Sequence, residues 1–108
     1  MKILNIHKTI TPDQLLNVLQ QKLNLLFRQQ RQTDISLVYE NKDGAIEISQ
    51  PDLYEKFLVS IAIKGQELLI TRTADYIDDV NALTVESILN EIFAELADDG
   101  KVTLVLEG

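Results

Sequence analysis

The sequence contains no cysteine. That absence removes disulfide frameworks, thiolate zinc sites, iron-sulfur clusters and cysteine nucleophiles in one step. Histidine is nearly absent as well: His7 stands alone, so any triad or histidine-based metal site would have to be built around that one residue near a terminus. The four glycines are scattered and never cluster ahead of a helix, so there is no phosphate-binding loop, and Gly-x-Ser-x-Gly does not occur. No apolar run approaches the roughly 20 residues that a membrane-spanning helix needs, and the opening Met1-Lys2-Ile3-Leu4-Asn5-Ile6-His7-Lys8 is too short in apolar residues for a signal peptide. The expectation is a cytoplasmic protein.

Positive charge is also in short supply. Ten Lys and Arg stand against seventeen Asp and Glu, a formal net charge of -7. A surface of that sign repels a phosphate backbone, which argues against nucleic acid as a partner and leaves open a basic protein partner or a divalent cation. Proline, glycine and serine nowhere gather into a linker, and no repeat or low-complexity tract is visible, so residues 1–108 are expected to form a single domain.

What the chain does contain is a balanced folding composition, 45% hydrophobic and 25% charged, in a length that buries roughly two thirds of the surface its unfolded form exposes. The residues Ile3 to His7 read as a short edge strand. Thr11-Pro12-Asp13-Gln14 is a helix start: a capping threonine, a proline in the first turn, an acid at the positive end of the dipole and a glutamine placed to close a capping box. Leu15, Leu19, Leu23, Leu26 and Phe27 then recur at threes and fours, which predicts one amphipathic helix from about residue 12 to about residue 31. Arg28 and Arg31 near its end suit the negative end of the dipole.

The period then changes to two. Ile35, Leu37 and Tyr39 precede a turn at Asn41-Lys42-Asp43-Gly44, and Ile46 and Ile48 return from it. After Pro51, the residues Phe57, Val59, Ile61 and Ile63 alternate up to Gly65-Gln66, a two-residue turn that sets Ile63 opposite Leu68 and Ile61 opposite Ile70. An acidic segment containing Asp75, Tyr76, Asp78 and Asp79 leads into a second helix, capped at Asn81 or Thr84, whose stripe is Val85, Ile88, Leu89, Ile92, Phe93 and Leu96. Asp98-Asp99-Gly100 ends it, with Gly100 in the left-handed cap, and Val102, Leu104 and Leu106 alternate in a last strand. The order (β)αββββαβ implies the α+β class, a two-layer sandwich of an antiparallel meander sheet with two amphipathic helices.

Two surfaces stand out in this reading. On the sheet face away from the helices, Val38, Leu58, Leu69 and Val105 fall out of phase with the core set and are expected to form an apolar interaction patch among polar neighbours. The loop of Asp75, Tyr76, Asp78 and Asp79 is oxygen-rich and a candidate for a small ligand or for Ca²⁺ or Mg²⁺, although its spacing is not that of a calcium loop. No catalytic residues and no cofactor are identified. The function expected is that of a noncatalytic interaction or accessory domain with a protein partner or a second copy of itself; the alternative is a ligand-binding or metal-binding domain, or a carboxylate-based enzyme, using the acidic loop.

Overall fold

The computed structural model describes residues 1–108. Strand β1 (Lys2–Asn5) is followed by helix α1 (Pro12–Arg31), then by strands β2 (Val38–Lys42), β3 (Ala45–Ser49), β4 (Val59–Lys64) and β5 (Glu67–Arg72). Helix α2 (Val80–Leu96) and strand β6 (Thr103–Glu107) complete the chain. This is the α+β sandwich with the order that the hydrophobic periods imply.

The sheet has six strands in the order β2-β3-β4-β5-β1-β6, and every neighbouring pair is antiparallel. Two-residue turns fix the meander. Asp43 and Gly44 join β2 to β3 with φ of 53° and 87°, the double positive φ that matches strand twist in a tight hairpin. Gly65-Gln66 joins β4 to β5 and brings Ile63 opposite Leu68 and Ile61 opposite Ile70, the register read from the sequence. Strand β1 is not an edge. It inserts between β5 and β6, with Lys2 opposite Ile70 on one side and Glu107 on the other. The edges are β2, whose exposed Glu40 and Lys42 discourage further pairing, and β6.

Both helices lie on one face of the sheet. The capping box at the head of α1 is complete: the Gln14 N–H donates to Thr11 Oγ1 at 3.1 Å and the Thr11 N–H donates to Gln14 Oε1 at 2.9 Å, an arrangement worth about 1 kcal/mol. The helices run antiparallel, because Arg31 at the end of α1 donates to Asn81 at the start of α2 (3.0 Å) while Lys22 pairs with Glu95 near the end of α2. Leu15, Leu19, Leu23 and Phe27 of α1 and Val85, Ile88, Leu89, Ile92 and Phe93 of α2 join Ile46, Ile48, Val59, Ile61, Leu68 and Ile70 of the sheet in one core of 22 buried residues. The segment between α1 and β2 is tied to the helix by Asn24, which accepts from the Leu37 N–H (2.7 Å) and donates to its carbonyl (3.2 Å), so that an amide side chain completes both backbone bonds of Leu37. Arg28 donates to the Ile35 carbonyl (3.3 Å) and to the Ser36 hydroxyl.

Three local expectations are corrected. The N-cap of α2 is Asp79, not Asn81 or Thr84: its Oδ1 accepts from the Ala82 N–H at 3.0 Å, and a carboxylate is the better acceptor at the positive end of a dipole. Helix α2 ends in an extended Ala97, and Gly100 (φ 71°) closes the short turn after it. Lastly, the alternation in the final strand is broken. Leu104 lies opposite Leu4 and Leu106 opposite Ile3, which leaves Val105 as the extra residue of a β-bulge and sends Leu104 and Leu106 to opposite faces.

Candidate functional site

The sheet face opposite the helices is uncovered, and the register determines what it displays. Residues two apart on a strand share a face. Following the pairing across the sheet from Lys42 gives one row, Ala45, Ala62, Leu69, Ile3 and Leu106, one apolar residue from each of five neighbouring strands. Ala45, Ala62, Leu69 and Ile3 are half-buried and Leu106 is 49% exposed.

The rows on either side are polar. On one side lie Glu40, Glu47, Ser60 and Thr71; on the other lie Lys64, Glu67, Asn5 and Thr103. Lys42 bridges Glu40 (3.7 Å) and Glu47 (3.5 Å) at one corner. Such exposed ion pairs contribute little to stability, and they leave the face close to neutral.

The patch expected from sequence is therefore rearranged. Leu69 is at the centre of the apolar row. Leu58 does not share the surface: it is 1% exposed and belongs to the core. It sits just ahead of β4, where its N–H donates to Ile48 (2.8 Å) and its carbonyl accepts from Thr73 (3.3 Å), yet Ile48 is paired with Val59. The pleat is irregular at that entry, so the consecutive residues Leu58 and Val59 are both buried. Val38, 45% exposed, lies opposite Ser49 and is cut off from the apolar row by Glu40 and Glu47. Val105, 50% exposed, is the bulge residue beside Leu106. The sequence pattern does not reveal Ile3, which joins this face only because β1 lies between β5 and β6, or Leu106, whose face the bulge reverses.

The acidic segment folds into a network of its own. Asp79 caps α2 and accepts the Tyr54 hydroxyl at 2.8 Å; Asn81 in turn donates to the Tyr54 oxygen at 3.1 Å. Tyr76 accepts from the Lys56 N–H (3.1 Å), and the two tyrosine rings meet at 4.8 Å with planes inclined by 60°, within the favourable range for tilted aromatic pairs. Asp75 binds the Lys56 ammonium at 2.6 Å, which holds that amine above its ordinary pKa. Burial, and then the hydrogen bond to Asp79, push the Tyr54 phenol upward. Asp78 is exposed. No three His, Asp or Glu side chains gather in a group able to hold a metal ion.

His7, held at φ 58°, bonds through Nε2 to the Thr103 hydroxyl (2.8 Å), which ties the end of β1 to β6. A groove of about 340 Å³ runs between α2 and β6 over Leu4, Phe93, Ala94, Val102 and Leu104. The polar part of its lining is Lys2, Asn90 and Glu107. Comparison with known proteins adds no further assignment: no family model matches the chain, and neither a curated protein nor a solved structure is significantly similar to it.

Proposed function

We propose that the protein is a noncatalytic interaction domain that binds a protein partner through the open face of its sheet. The observation that carries this reading is the continuous apolar row from Ala45 through Leu69 to Leu106, on a face that neither helix covers. A single exposed leucine needs no explanation, whereas apolar residues joined across five strands and rimmed by polar side chains have the layout of an association surface. The net charge of -7 favours a protein over a nucleic acid as the partner.

Affinity capture from native lysate with the wild-type chain and with Leu69→Glu tests the reading. The charged variant should lose the partner while keeping its fold, because it buries an unpaired carboxylate in the contact. Equal capture by both chains would rule out the sheet face as the binding surface.

A further inference from the structure

We infer that the open sheet face is covered by a second copy of this chain, stacked face to face about a two-fold axis that runs along the row Ala45-Ala62-Leu69-Ile3-Leu106. This rests on the interaction reading above and names its partner.

Charge complementarity selects both the partner and the axis. The face carries Glu40, Glu47 and Glu67 against Lys42 and Lys64, so all but one unit of the chain's net charge of -7 lies elsewhere. Two such faces approach without the repulsion that two copies of this acidic protein meet in other orientations. The two flanking rows are not alike: Glu40 and Glu47 lie on one side of the apolar row, and Lys64 with Glu67 opposite it lie on the other. Rotation about an axis along the row exchanges the sides. Lys64 of each copy then lies over Ser60 of the other, beside its Glu47, and Glu67 lies over Thr71. An axis along β5 instead sets Glu67 against Glu67, a like-charge contact that an isologous interface disfavours.

Area agrees. Six strands about 4.8 Å apart and three side-chain rows about 7 Å apart project roughly 600 Å² per copy, or about 1,200 Å² in total, at the lower limit of a specific interface. The edges offer less: β2 is charged at Glu40 and Lys42, and the bulge at Val105 breaks the regular ladder of β6.

Sedimentation equilibrium of the full chain across a concentration series tests the proposal. The wild type should double its mass in the micromolar range. Lys64→Glu should weaken the dimer by about tenfold or more, and adding Glu47→Lys to it should recover part of that loss, since Lys64 of each copy lies one strand away from Glu47 of the other across the axis. Because the chain has no cysteine, Ala62→Cys supplies a unique thiol on the axis. A short bis-maleimide should link two copies of it readily, and two copies of Leu25→Cys, on the exposed side of α1, only slowly. A wild type that stays monomeric at about 1 mM, no rescue by the paired substitution, or equal linking at residues 62 and 25 would each overturn self-association. The wider interaction reading would then survive only if Leu69→Glu still abolished capture of a different protein.

Discussion

Tyr54 donates its hydroxyl hydrogen to Asp79 Oδ1, the same oxygen that accepts the Ala82 N–H and caps α2. One carboxylate oxygen thus fastens the β3–β4 connection to the start of the second helix. Asp79→Ala should cost about 1 to 2 kcal/mol, from a lost cap and an orphaned phenol together. Tyr54→Phe should cost about 1 kcal/mol. In a double-mutant cycle measured by urea denaturation the two losses should be less than additive, since they share a bond. Full additivity would show that the bond contributes nothing.

Tyr39 presents the opposite case. Its hydroxyl oxygen is buried and makes no hydrogen bond of good geometry, although the Asn24 backbone lies close to it, and a buried polar group left unsatisfied costs on the order of 1 to 3 kcal/mol. Tyr39→Phe should therefore be neutral or raise stability by up to about 1 kcal/mol. A clear destabilisation in denaturant melts would mean that the hydroxyl does have a partner.

The same two tyrosines set an alkaline limit. Burial raises both phenols above the ordinary value of 10.0, strongly for Tyr39 against the nearby Arg28 charge, and the bond to Asp79 adds to the shift of Tyr54. A group whose folded pKa lies above its unfolded one contributes stability that is complete below the unfolded pKa and is lost as pH rises toward the folded one. Melting temperature should therefore fall as pH climbs past about 10, and Tyr39→Phe should reduce the fall. An unchanged profile in that variant would remove Tyr39 as a cause.

Leu58 and Leu69, placed on one surface by simple alternation, should behave differently. Leu58→Glu sets a carboxylate into the core and should unfold the protein at room temperature, while Leu69→Glu should retain native circular dichroism. Phe93→Ala, at a site 1% exposed, should cost about 3 to 5 kcal/mol. A folded Leu58→Glu variant would contradict the burial described above.

Millimolar Ca²⁺ or Mg²⁺ should leave the melting temperature unchanged. Asp75 and Asp79 are engaged with Lys56 and with Tyr54 and Ala82, so a cation would have to displace those partners. Any ligand held only by the native state must raise the melting temperature. A rise of several degrees, abolished by Asp78→Asn, would establish a cation site in this loop.

What was legible in the sequence was local. The Thr11–Gln14 capping box, the Gly65-Gln66 turn and the pairing of Ile63 with Leu68 depend on neighbours within a few positions, and each is where the residues imply. The open face was harder. Whether Ile3 extends the Leu69 row depends on β1 choosing β5 as its neighbour, a contact between distant parts of the chain that no local period encodes. Leu58 and Leu106 were misplaced for a related reason: an irregular strand entry and a bulge each shift the pleat by one residue, and that shift reverses a face while leaving the hydrophobic pattern unchanged. Asp79 does not stand out as the cap in the sequence because Asn81 and Thr84 are equally good capping types, and only the course of the backbone decides among them.

The place of β1 between β5 and β6 has a kinetic consequence. Strands β2 to β5 and their turns involve short loop closures and can form early, whereas Lys2 must find Ile70 on one side and Glu107 on the other. Those long closures raise the contact order and slow the final step. During synthesis on the ribosome, Ile3 and Leu4 wait with a free hydrogen-bonding edge until Thr103–Glu107 has been made. Removing β6 should therefore convert β1 into an open apolar edge and shift the chain from refolding toward aggregation.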